Sequence, residues 1–283
     1  MKAIFKNPTS EKQFREQGYV VVDLLDETAV NTLRTAYDQH KENVTQPFHT
    51  THFSTDPAYK QQVHDTISNT VFSFAGKLLN DFTPVFGNFM VKQTGPNSEM
   101  PLHADWSYVQ ENGLRSLAIW VPLVDTNKDN GCLGVIPGSH RISPAIRGPR
   151  LVQAQYENFK KWIEAKGKLL SMKAGQAVFY DHALMHYSPP NMSAENRPAL
   201  NLSCVPQGAV LFHHCVPEGK EKIQVYKVEG NSFFIHYNNY QAPTLGTVTG
   251  TLEIASVPAV NDKMDEFCRP QKPFKAFITK LFG

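Results

Sequence analysis

The chain has 283 residues, of which 41% are hydrophobic and 19% charged, and a formal net charge of +2 at pH 7. That is long enough to bury a sizeable core, and the balance is that of an ordinary soluble globular protein. It excludes the electrostatic footprint of a nucleic-acid binder, and no run approaches the roughly 18 apolar residues that cross a bilayer as a helix.

The four cysteines, Cys132, Cys204, Cys215 and Cys268, form no CxxC pair. They fit a reducing cytoplasm better than a zinc ribbon or a disulfide framework. The N-terminus, Met1 to Pro8, lacks the apolar core of a signal peptide. A cytoplasmic location is therefore expected, with no membrane and no nucleic-acid partner. The N-x-S/T triplets at Asn43, Asn191 and Asn201 are read as chance matches.

Residues 1–83 read mainly as a helical buttress. Ser10 is expected to cap a short helix that carries Phe14 and stops at Gly18. Tyr19 to Val22 is a short apolar strand, and Asp26 to His40 places Val30, Leu33, Ala36 and Tyr37 at helical spacing. Asp56-Pro57 opens a long helix with an apolar stripe through Val63, Ile67, Val71, Phe74 and Leu78. From Pro84 the texture changes to short β-rich runs: Val85–Lys92, Arg115–Leu123, Gly131–Ile136, Gln176–Tyr180 and Pro198–Pro206. Asn112-Gly113 and Asn130-Gly131 mark tight turns. Residues 141–172 form an insertion with a helix from about Val152 to Lys166, expected to act as a lid. Strands are expected again at Ile223–Val228 and Ser232–Tyr237, and an apolar segment runs from Phe274 to Phe282. The pattern predicts one domain over 1–283. It is mainly β with flanking helices, a jelly roll whose β core comprises 84–140 and 173–240.

The chemistry concentrates at Pro101-Leu102-His103-Ala104-Asp105-Trp106. In an extended segment residues i and i+2 share a face, so His103 and Asp105 can grip one ion. A second imidazole completes the facial triad of non-haem Fe(II) oxygenases, which leaves positions open for a chelating 2-oxo acid and O2. His186, after the strand ending at Tyr180, can close that triad from across a barrel. Arg197, eleven residues later, can hold the distal carboxylate of 2-oxoglutarate in a bidentate pair. Asn88, Met90 and Lys92 share a face of the strand that leads to the HxD segment, and Tyr108 lies just past it. Asn88, Lys92 and Tyr108 are candidate substrate contacts, with Lys92 equally placed for a rim.

These residues carry a family resemblance. His103-x-Asp105, the run Asn-Gly-Cys-Leu-Gly-Val-Ile-Pro-Gly-Ser-His at 130–140, Gly175 before a strand, His186-x-Ser188 with Asn191, and Arg197 together resemble the phytanoyl-CoA dioxygenase family. The opening Phe14-x-x-x-Gly18-Tyr19 is similar to that family too, so the resemblance covers roughly residues 10 to 205. It implies a double-stranded β-helix (cupin-like) core, Fe(II), 2-oxoglutarate as cosubstrate, and O2. The implied reaction is hydroxylation or another oxidation of a small-molecule C–H bond, with release of succinate and CO2. The resemblance also implies that Ser188 and Trp120 contact 2-oxoglutarate. Related iron halogenases lack the carboxylate that stands here as Asp105, so halogenation is not expected.

His182 is read as a structural polar residue, His140 as a turn stabiliser, His213 and His214 as surface or local structural groups, and His236 as a core histidine. Lys160, Lys161, Lys166 and Lys168 spread over more than one helix face and converge on no single phosphate. A free small metabolite is therefore expected as substrate in preference to an acyl-CoA. The rival readings are a cupin-like metal-dependent isomerase or lyase, and a non-catalytic binding module. Neither needs a carboxylate anchor at Arg197.

Overall fold

The computed structural model describes residues 2–40, 46–149, 151, 159–238, 242–254 and 261–269. Helix α1 (Pro8–Gln17) is opened by Asn7, whose Oδ1 accepts from the Thr9 and Ser10 N–H groups. The cap expected at Ser10 thus lies at Asn7, because Pro8 at the first helical position presets φ and forfeits no hydrogen bond. Gly18 closes the helix at φ 81, its N–H donating to the Phe14 carbonyl, and releases the chain into strand β1 (Tyr19–Asp23). Asp26 accepts from the Ala29 N–H at the start of α2 (Glu27–His40). After β2 (Phe48–Thr50), Asp56 caps α3 (Pro57–Ala75) as its Asp-Pro pair predicts.

The β-rich part follows as β3 (Phe82–Lys92), β4 (Met100–His103), β5 (Leu117–Pro122) and β6 (Leu133–Val135). Helix α4 (Phe159–Lys166) precedes β7 (Lys168–Leu170), β8 (Gln176–Asp181), β9 (His186–Ser188) and β10 (Arg197–Pro206). Then come β11 (Leu211–Cys215), β12 (Lys222–Val228), α5 (Ser232–His236), β13 (Thr247–Glu253) and α6 (Asn261–Cys268).

Two antiparallel sheets, ordered β1-β8-β5-β10-β3-β2 and β4-β9-β6-β7, pack as a jelly roll. The period of two decides which side chains go where. Leu117, Ile119 and Val121 of β5 turn outward and join Phe179, Leu200 and Leu202 beneath Val63, Ile67 and Val71 of α3. Their neighbours Ala118 and Trp120 turn inward and meet Val178, Tyr180, Leu133 and Val135 between the sheets. The outer side of the second sheet packs Leu102, Ile136 and Met185 on Trp162 and Met264. A third sheet, β11-β12-β13, closes one end with α5 through Val85, Phe86, Tyr108, Phe233 and Phe234.

Several expectations change. Ser232–Tyr237 is not a strand but the helix α5 and its cap. Phe233, Phe234 and Ile235 are all buried in succession, which an alternating strand on one face cannot do. His236 falls on the exposed side of that turn and is no core residue. His213 and His214 are buried, not on the surface. Lys168–Leu170, at the end of the expected insertion, pairs with β6 and belongs to the core sheet. Of the helix expected from Val152, residues 152–158 lie outside the described residues, as does the segment Phe274–Phe282. The described two turns, α4, pack away from the barrel mouth, with the Trp162 Nε1–H donating to Asp265 at 2.7 Å. Lys161 pairs with Asp265 and Lys166 lies over Phe267, both on α6, whereas Lys168 lies over Tyr19. No helix among the described residues is long and apolar enough to cross a membrane.

Candidate metal centre

Strands β4 and β9 pair with Met100 opposite Ser188 and His103 opposite His186. Three steps along one strand match two along the other, so a bulge with one extra residue sets the register. Residues directly opposite in an antiparallel pair share a face, and the two imidazoles accordingly stand side by side with ring centroids 4.2 Å apart. Asp105, just beyond β4, brings Oδ1 to 3.7 Å from the Nε2 of both His103 and His186. The three donor atoms all lie within 4.8 Å of one another, close enough to share one metal ion.

The hydrogen bonds around the cluster point the donors. His103 Nδ1 lies 2.7 Å from the Pro101 carbonyl and His186 Nδ1 2.9 Å from the Leu184 carbonyl. A carbonyl only accepts, so each ring carries its proton on Nδ1 and turns a lone pair on Nε2 toward the centre. The Tyr180 hydroxyl donates to Asp105 Oδ2 at 2.9 Å, leaving Oδ1 as the oxygen that faces the histidines. Burial, then the neighbouring His186, pushes His103 down to about 4, so it is neutral at pH 7. For Asp105, burial raises the pKa, but His186, His182, His103 and the Tyr180 hydrogen bond together outweigh it and hold the carboxyl below its ordinary value. Two imidazoles and one carboxylate form a donor set suited to a divalent ion.

Beside the cluster a narrow recess runs inward, lined in part by Trp120, Tyr180, Ser188 and Arg197. Arg197 is 3% exposed, and among the described residues no carboxylate pairs with it; its Nε and Nη1 have no hydrogen-bond partner there. The Trp120 ring lies 5.5 Å from the guanidinium carbon. Burial pushes the Arg197 pKa down to about 10, and the group is still a cation at neutral pH. An unpaired buried guanidinium is costly unless an anion joins it, so the recess fits a carboxylate.

On the other side the cluster opens into a chamber of about 310 Å³ that Asn88 and Tyr108 help to line. Lys92, the third residue expected there, is absent from its walls. It is fully buried and donates to the Ser98 and Ser188 carbonyls, because its strand turns that position toward the β9 end of the second sheet. Burial, then Arg197 beside it, pushes this ammonium down to about 7. His182 is buried with its Nδ1 2.8 Å from the Ser116 hydroxyl, a structural placement. His140 pins the turn through Nε2 to the Arg15 carbonyl.

Three residues have roles that sequence reasoning overlooked. From sequence Tyr180 reads only as a strand residue, yet Val178 and Tyr180 alternate onto the inner face, and that spacing is the available signal. Asn201 reads from sequence only as a strand residue within a chance glycosylation triplet. Arg147, in the insertion, is 1% exposed and grips Glu111 with both terminal nitrogens, at 2.8 and 2.6 Å, while its Nε donates to the Asp105 carbonyl at 2.7 Å. The Ser107 hydroxyl bonds the Arg147 main chain at both N and O. These bonds staple the stretch carrying Asp105 to the insertion, whose Gly148 and Leu151 line the chamber. Nothing in the spacing of Glu111 and Arg147 announces the pair.

The fold and the donor set define a class: jelly-roll proteins with two histidines and one carboxylate converging at the barrel mouth. Residues 14–199 match the model of the phytanoyl-CoA dioxygenase family, and the chain belongs to that family. The phytanoyl-CoA dioxygenase domain-containing protein 1 homolog of Dictyostelium discoideum is 27% identical over 154 residues, 51% of this chain and 52% of that protein. Phytanoyl-CoA dioxygenase of Arabidopsis thaliana is 31% identical over 156 residues, 53% of each. The chain thus spans about half the length of the curated relatives it matches. Among solved structures, EvdO2 from Micromonospora carbonacea var. aurantiaca, complexed with 2-oxoglutarate, aligns with a TM-score of 0.51 at 19% identity, over 73% of this chain and 94% of that one. HygX from Streptomyces hygroscopicus, with nickel and 2-oxoglutarate bound, gives 0.52 at 13% identity over 71% and 88%. At such identities the likeness establishes the shared fold.

Proposed function

We propose that the chain is an Fe(II)- and 2-oxoglutarate-dependent oxygenase that oxidises a C–H bond of a small molecule. The observation that carries this reading is Arg197, a buried cation with unpartnered nitrogens in a recess that opens on the three-donor cluster. Family membership supports it, as do the 2-oxoglutarate-bound structures of EvdO2 and HygX.

His103 and His186 would hold the iron through Nε2 and Asp105 through Oδ1. Because Tyr180 occupies Oδ2, the carboxylate offers a single oxygen and takes one position, which leaves the others for cosubstrate and O2. Arg197 would receive the distal carboxylate of 2-oxoglutarate in a charge-assisted pair, with the Ser188 hydroxyl beside it and Trp120 stacked on the guanidinium. When bound, iron with 2-oxoglutarate and O2 supplies the oxidising power, and succinate and CO2 are released. The chain contributes aim and an apolar surround: Met90, Met100 and Phe48 line the recess. The substrate would sit in the chamber next to the cluster, against Trp106 and Tyr108. A free small metabolite suits that volume better than a CoA thioester, and no lysine or arginine lines the chamber among the described residues.

The test is succinate formation from 2-oxoglutarate under air with added Fe(II), before any substrate is known. Slow succinate release that needs both iron and Arg197 is expected. Its absence in iron-loaded, folded protein would end the oxygenase reading.

A further inference from the structure

The polar side chains of the chamber are divided between donor and acceptor. Asn88 of β3 and Asn201 of β10 are direct partners across the ladder, so both stand on one face of the sheet, and both line the chamber. The Oδ1 of Asn88 is already occupied, accepting the Thr50 hydroxyl at 2.8 Å. What Asn88 retains for a ligand is its Nδ2 donor.

Asn201 is the reverse. The Tyr180 phenol gives its own proton to Asp105, and the Asn201 side chain beside it lowers the phenol's pKa, as a donor does, so the Asn201 amide turns its nitrogen toward that oxygen. Its Oδ1 is buried with no partner. A buried acceptor without a donor is costly until something donates to it. One donor and one acceptor on adjacent strands are complementary to a ligand group that accepts and donates from neighbouring atoms. Around the pair the wall is aromatic, with Phe53, Phe86, Trp106 and Tyr108. Asp105 is the only acidic side chain, and no lysine or arginine lines the chamber among the described residues.

We propose that the chamber recognises an uncharged amide or lactam, its carbonyl accepting from Asn88 Nδ2 and its N–H donating to Asn201 Oδ1, with an apolar ring against the aromatic wall. The proposal rests on the oxygenase reading, which makes this chamber the substrate's place. An anionic ligand is disfavoured because the Asn201 oxygen would face its charge.

The test uses protein loaded with Fe(II) and 2-oxoglutarate, with oxygen excluded, so that binding is read without turnover. Four probes share one body: 3-phenylpropanamide, 3-phenyl-1-propanol, 3-phenylpropanoate and propylbenzene. Calorimetric titration should show the amide binding about tenfold more tightly than the hydrocarbon or the carboxylate, the worth of one to two net hydrogen bonds, with the alcohol between. Asn201→Leu should erase most of that advantage. Thr50→Val, a milder change that leaves Asn88 free to turn its oxygen into the chamber, should reduce it. Equal binding of carboxylate and amide would overturn the proposal, as would an amide preference that survives both variants, or no binding of any probe at millimolar concentration. If Asn201→Leu instead weakened only 2-oxoglutarate binding, Asn201 would belong to the cosubstrate and the proposal would fall. Succinate release without probes is measured separately: its failure beside an intact amide preference would remove the oxygenase reading and leave the recognition standing.

Discussion

Replacing Arg197 with Met should weaken 2-oxoglutarate binding and, unusually for a core substitution, leave the fold no less stable. Methionine keeps the unbranched stem and much of the volume but removes the charge. Burial lowers the Arg197 pKa from 12.5 to about 10, and no acidic group repays that cost. The sign follows: a cation whose folded pKa is depressed destabilises the fold at every pH where it stays charged, which here means below about 10. At 1.36 kcal/mol per unit the penalty is on the order of 3 kcal/mol. Loss of the cation–π contact with Trp120 returns about 2 kcal/mol of it. The apoprotein should therefore melt within a few degrees of the parent, and not below it. For binding, truncating one partner of a buried charge pair costs about 2–5 kcal/mol, which is roughly thirtyfold to several thousandfold in the 2-oxoglutarate dissociation constant. Differential scanning calorimetry of the apoprotein and titration of 2-oxoglutarate into the Fe(II)-loaded protein measure the two quantities. A melting temperature many degrees lower with unchanged 2-oxoglutarate affinity would refute the reasoning and make Arg197 a structural residue.

Three further outcomes are expected. His103→Ala, Asp105→Ala and His186→Ala should each lose most Fe(II) binding while His182→Ala keeps it; metal content after gel filtration decides, and iron retained by His186→Ala but lost by His182→Ala would reverse the assignment. Arg147→Met leaves Glu111 buried and less well paired and should cost about 3–5 kcal/mol in urea unfolding. Arg147→Met with Glu111→Met should recover much of that, and a double variant as unstable as the single would contradict a charge-pair origin. His213 is packed against Trp106, Phe233 and Tyr237, and burial, then His214 and His52, lowers its pKa to about 3. Because the unfolded chain takes up that proton first, stability is full above pH 6.5 and falls as pH drops from there toward 3. At pH 5 this one residue accounts for up to about 2 kcal/mol, and His213→Phe should flatten the fall of the urea midpoint between pH 7 and pH 5.

The elements most legible in the sequence were those with local causes. Asp56-Pro57 names the start of α3, and Gly18 the end of α1, because capping geometry involves only neighbouring residues. The strands β3, β5 and β10 lie within two or three residues of their expected bounds, since their β-branched and aromatic runs are long enough to outweigh turn signals. The short strands β2, β7, β9 and β11 are not marked as strands by the sequence; three to five residues carry too little pattern, and pairing with a neighbouring strand is what extends them. Phe233-Phe234-Ile235 shows the same limit from the other side, because a run of three apolar residues fits a strand or a buried helix, and packing against Tyr108 and Val228 chose the helix.

The site divides in the same way. Spacing puts His103 and Asp105 on one face, since residues two apart in an extended segment point the same way, and it sets Arg197 at the head of a strand. That His186 stands against His103 depends on the β4–β9 register and its bulge, which no residue in either strand reveals. Lys92 and Asn88 alternate on β3 alike, yet only Asn88 reaches the chamber, because the second sheet covers the far end of that strand and leaves the near end open. The Arg147–Glu111 clamp and the unpartnered Asn201 oxygen likewise belong to contacts between residues 36 or more positions apart or to the lack of one. Local chemistry is written in the order of residues, whereas burial and partnership are properties of the packed whole: charge and hydrogen-bonding capacity acquire a sign and a cost only once the fold decides which groups lose water.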